Sequence, residues 1–111
     1  MASITRESVV ESEEVSAPEL ESVHDLSAGF NVVITVSRSG AVDDLKVYQP
    51  IKAFEPEAVA KASAFIAGVA SFIASQLRES SVREIDLVMK DKLVVMICDE
   101  DKIKVGISAL T

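Results

Sequence analysis

The chain has 111 residues, enough for one domain with a core of its own, and 49% of them are apolar. Its formal net charge is −7 and it has no Trp. It therefore lacks the basic stripe and the aromatic platforms that nucleic-acid binding requires, and anionic membrane surfaces repel it. A single cysteine, Cys98, excludes an internal disulfide and a multi-Cys metal site.

Residues 1–17 carry Glu7, Glu11, Glu13 and Glu14 among Ser and Val. Ser8 and Glu11 have capping-box spacing, but too few apolar residues accompany them, so a mobile acidic tail that orders only on a partner is expected. The start has no apolar run of the kind a signal peptide needs, which predicts a cytoplasmic protein. Residues 18–29 read as a short helix with Pro18 at its start, Leu20, Val23 and Leu26 inward, and Gly29 closing it. His24 lies there alone, with no second His or neighbouring Cys from which to build a zinc site.

Residues 30–36 (Phe-Asn-Val-Val-Ile-Thr-Val) predict a strand apolar on both faces. Ser37-Arg38-Ser39-Gly40-Ala41 reads as a hairpin turn, and residues 42–48 return as a more polar strand. Asp43, Asp44 and Lys46 mark that strand as a sheet edge or a wet face. A loop over 49–55 leads into the one long helical pattern, residues 56–79.

Pro56 suits a first helical position and Glu57 the positive end of the helix dipole. At about 100° per residue, Val59, Ala62, Ile66, Val69, Ile73 and Leu77 form a bulky stripe flanked by Phe65 and Phe72. The remaining arc is small: Ala60, Ser63, Ala64, Ala67, Gly68, Ala70, Ser71, Ala74 and Ser75. A surface helix ordinarily carries charges there. The length would suit a membrane span, but Lys61, Gln76 and the serines oppose insertion. The alternative to an Ala-rich helix with an unremarkable outer side is a helix covered twice. The bulky stripe then lies on its own sheet, and the small stripe admits a partner helix.

Beyond the helix, residues 82–89 alternate, with Ile85, Leu87 and Met89 on one face. Residues 93–98 predict a fully buried strand in which the Cys98 thiol is inert, and 103–109 alternate as the last strand. The turn residues Asp99, Glu100 and Asp101 lack the spread of ligands a calcium loop requires and read as a solvated hairpin tip. The expected fold is α+β. It consists of a single mostly antiparallel five-stranded sheet in the order helix, strand, strand, long helix and three-strand meander, with the long helix on one face.

Over residues 18–111 this pattern resembles the roadblock/LC7 family. The resemblance rests on the strand Val32–Val36, the Ser39-Gly40-Ala41 turn, the Ala-rich helix, the strand from Leu93 to Met96 and the closing strand 103–109. The sequence stops at Thr111, directly after the last strand, as in short members without a C-terminal helix. The tail or a partner is then expected to shield the second sheet face. The resemblance implies a homo- or heterodimer whose long helices pack together and whose following strands pair across the two chains. Carried over, this assigns Ala60, Ala64, Ala67, Gly68, Ser71 and Ser75, with Ile85 and Leu87 on strand 82–89, to a dimer interface.

The resemblance also implies a non-enzymatic regulator or scaffold of a Ras-like small GTPase. The alternative is a light-chain subunit of a cytoskeletal or motor assembly without a GTPase. One His, one Cys in an apolar strand and no Gly-rich phosphate loop leave an enzyme little to work with, and no cofactor is expected. The expected partners are a second copy or a related chain, with a small GTPase or scaffold protein, and neither nucleic acid nor an inserted membrane.

Overall fold

The computed structural model describes residues 29–109. The acidic tail predicted over 1–17 and the short helix with His24 predicted over 18–29 lie outside them, apart from Gly29. Within them the order is β1 (Val32–Ser37), β2 (Val42–Val47), α1 (Pro56–Gln76), β3 (Glu84–Val88), β4 (Lys92–Cys98) and β5 (Lys102–Ala109). The strands form one antiparallel sheet in the order β2-β1-β5-β4-β3. This is the expected α+β architecture, with β2 on an edge, one of the two placements its charges predict. β5, the last strand in the chain, lies at the centre of the sheet. It is inserted between β1 and β4, which makes the meander and the hairpin one surface.

The register decides which side chains share a face. Ile85, Met96, Val105, Ile34 and Leu45 form one row across the sheet, and Leu87, Val94, Ile107, Val32 and Val47 form the next. These rows carry most of the core, in which Val32, Ile34, Val36, Met96, Ile103 and Val105 are fully enclosed. Helix α1 covers this face over β1, β2 and β5.

The helix lies on the sheet through its small residues. Ala60, Ser63, Ala67 and Ala74 are buried, whereas Phe65, Val69, Phe72 and Ile73 face outward. The expected facing is thus overturned in part: Val59 and Ile66 of the bulky stripe still pack on the core, but Val69, Ile73 and Leu77 turn outward and small residues take their place on the sheet. The physical reason is volume: the sheet already fills the layer with Ile, Val and Met, so the helix needs small residues to come close and leave no gap.

Two glycines mark close approaches. Gly40 has φ +96°, and a Cβ there would lie 3.3 Å from the Lys61 Cα, so the β1–β2 turn packs directly under the helix. The turn closes through Gly40 N–H donating to the Ser37 carbonyl and Ala41 N–H to Ser37 Oγ. On the opposite face, Gly106 lies under the Phe30 ring, 2.9 Å from where a Cβ would stand. Phe30 therefore covers the middle of the row Val33, Gly106 and Val95, part of the second face for which the sequence demanded cover.

The helix also ends earlier than the pattern 56–79. Arg78 adopts φ 63°, its N–H donates to the Ser75 carbonyl, and the Glu79 N–H donates to the Ala74 carbonyl. This left-handed cap stops α1 at Gln76.

Candidate interaction surface

The outer arc of α1 combines bulk with exposure. Phe65 is 74% exposed, Phe72 66% and Leu77 67%, with Val69 and Ile73 between them also exposed. Five large apolar side chains on one helix face exceed the scattered exposure normal for a surface. Ala64, Phe65, Gly68, Val69 and Phe72 enclose a shallow notch, with Gly68 as its floor between the two rings. The missing side chain at Gly68 leaves room for a bulky residue of another helix.

The apolar surface extends from the helix toward β3. Ile51 and Phe54 of the loop before α1, Val59 and Ile66 of the helix, and Leu87 and Met89 around β3 line an apolar groove. β3 itself is the second edge of the sheet, and Val88 on it and Met89 just after it are exposed. One side of its backbone is paired with β4 and the other is open among the described residues. An open edge beside an apolar helix face is a surface suited to strand and helix pairing together.

The interface residues expected from the sequence are divided by this geometry. Ala60 and Ala67 are buried against the chain's own sheet and Ala64 is half-buried beside the Gly40 turn, while Gly68, Ser71 and Ser75 remain exposed. Ile85 and Leu87 are half-buried and pack against the core. Phe65, Val69, Phe72, Ile73, Val88 and Met89 were not among the expected set. The seven-residue spacing of the two Phe was the available signal, since nothing polar accompanied them.

Among the described residues, the polar groups near the helix end form a cleft and not a cluster of metal-ligating side chains. Cys98 is buried, and burial pushes its thiol up, away from the reactive thiolate. Arg38, Arg83, Ser71, Ser80, Ser81 and Cys98 border a polar cleft below the helix end, where the Arg38 guanidinium donates to the Asp99 carbonyl. Among the described residues, no group of three His, Cys, Asp or Glu is placed to hold a metal ion. On β3, Glu84 is raised to about 7, first by burial and then by its hydrogen bond to Asp86 and the charge of Asp86, with Arg83 opposing.

The molecule is a single sheet with a long helix on one face, small residues of that helix turned inward and large apolar ones outward. The chain has a roadblock/LC7-type fold. It is similar to the gliding protein MglB of Thermus thermophilus, with TM-score 0.68 and 19% identity over 85% of this chain and 75% of that one. A tetrameric arrangement of MglB gives TM-score 0.68 at 20% identity, covering 85% and 74%. A roadblock/LC7 domain from Streptomyces avermitilis gives 0.64 at 8% identity, covering 74% and 68%. No protein-family model matches the sequence, and no curated protein matches it.

Proposed function

We propose that this chain is a non-enzymatic, cytoplasmic, dimeric module that regulates or scaffolds a Ras-like small GTPase complex. The observation that carries the dimer is the exposed apolar face of α1 (Phe65, Val69, Phe72, Ile73) in a sheet whose β3 edge is open among the described residues. Leaving such a face in water costs about 25 cal/mol per Å² of apolar surface, and a second chain of the same fold covers it with an equivalent face. The GTPase part follows from the likeness to roadblock/LC7 proteins. The tetrameric MglB arrangement supports self-association of this fold.

The helix Pro56–Gln76 is also long and apolar enough to cross a membrane. Its burial of Ala60, Ser63, Ala67 and Ala74 against the sheet supports a soluble, paired role instead. Light scattering on a size-exclusion column should give twice 11.9 kDa for the chain or its complex with a related chain. A monomer at tens of micromolar, mixed with every related chain of its source, sinks the dimer. Nucleotide-dependent co-purification of a small GTPase is the expected result for the regulatory role. Capture of cytoskeletal or motor subunits with no GTPase would replace it with the light-chain reading, and recovery only in detergent would replace both.

A further inference from the structure

The β3 edge has a charge pattern that bears on which strand it accepts. It is an open edge among the described residues, and Leu87 and Met89 there line the apolar groove that Val59 and Ile66 of α1 also border. Glu84, Asp86 and Val88 point to the face away from α1, as do their register partners Ile97, Val95 and Leu93. Glu84 and Asp86 stand two residues apart on that face, and Glu84 Oε1 is enclosed without a hydrogen-bond partner among the described residues.

Suppose two copies paired antiparallel through this edge. For the sheet to continue with its faces aligned, even-numbered residues must oppose even-numbered ones. Centring the pair on Asp86 uses the whole strand, and it sets Asp86 against Asp86 with each Glu84 on the diagonal. Centring on Ile85 sets Glu84 against Asp86 twice. Centring on Leu87 brings Lys90 opposite Glu84, but leaves only residues 86–88 of the strand paired and keeps the two Asp86 on a diagonal. Like charges at these positions repel. The other nearby cations relieve this little: Lys104 lies two strands away in the Glu84 row, Lys92 has the register of the opposite face, and Arg83 is the weakest of the influences on Glu84.

We propose that the β3 edge selects a different chain as its strand partner, one that places Lys or Arg opposite Glu84 and Asp86. This rests on the pairing reading above and names the chemistry of the partner. A copy of this chain is the disfavoured occupant at neutral and higher pH. The proton held near Glu84 weakens that repulsion in acid.

The test mixes the wild-type chain with its charge-reversed variant, Glu84→Lys with Asp86→Lys, and counts pairs by native mass spectrometry with one chain isotope-labelled. At about pH 8 and low salt, the mixed pair should outweigh each homodimer at least about tenfold, with the excess shrinking as salt screens it. The shape-preserving variant Glu84→Gln with Asp86→Asn should self-associate about tenfold more tightly than wild type at about pH 8, and equally in acid. It serves where the reversed variant fails to fold. Statistical mixing at every salt and pH, with an unchanged neutral variant, overturns the selection while leaving the dimer standing. Absence of any pair at tens of micromolar, in either mixture, overturns the pairing reading and this inference with it.

Discussion

Arg78 occupies a left-handed capping position that glycine usually fills, and its exposed side chain is not part of the core. A β-carbon there costs about 1 kcal/mol. Arg78→Gly should therefore stabilise the fold by about 0.5–1 kcal/mol in urea melts with an unchanged slope; a loss of stability would mean that Arg78 has a contact worth more than its strain. Glu84 gives a second prediction at this scale. Its folded value of about 7 stands above the ordinary 4.5, so the folded chain holds the proton more tightly than the unfolded one. Its contribution to stability is then fully present below 4.5 and is lost as the pH rises through about 7. Glu84→Gln keeps the size and cannot lose a proton. Denaturant midpoints across that window should fall less steeply for the variant than for wild type, and parallel curves would remove Glu84 from the account.

The elements themselves were largely legible in the sequence, and the reasons differ from one to the next. β2 declared itself an edge or a wet face because Asp43, Asp44 and Lys46 cannot be enclosed on both sides. The helix start was set by Pro56 and Glu57, both local signals. Its end was not, because the Arg78 cap depends on a backbone conformation that Arg rarely takes. The facing of α1 was not legible either. Periodicity separates apolar from polar arcs, and here both arcs are free of charge over most of their length. Which one turns inward is decided by the volume left above Ile34, Val105 and Met96, a property of the assembled sheet.

The two faces now predict opposite outcomes for the same kind of change. Ala67→Glu forces a carboxylate into a site 1% exposed, so it should unfold the chain rather than release a partner. Phe72→Glu lies on the outer face and should leave the circular dichroism of the isolated chain intact while abolishing association. A folded, monomeric Ala67→Glu chain would restore the facing expected from the sequence.

At the scale of the molecule, the balance between core and surface ties the proposed pairing to stability. The helix contributes mainly alanine and serine to the core, so the enclosed apolar volume comes mostly from one face of the sheet. Its larger side chains, Phe65, Phe72 and Ile73, contribute nothing until another chain covers them. Folding and association are then linked by mass action: whatever binds only the folded state raises its apparent stability. In the self-associating case, a tenfold rise in concentration adds about 1.4 kcal/mol per dimer, or about 0.7 per chain. For a domain of this size that should raise the midpoint of thermal unfolding by about 3–5 °C. If a different chain is the obligatory partner, the same rise should follow addition of that chain instead. Phe72→Glu should abolish the dependence in either case, whereas Arg78→Gly should raise every midpoint and keep it. A wild-type midpoint independent of concentration and of every added chain would mean that the apolar face of α1 is stable in water by itself, and the proposed pairing would fall.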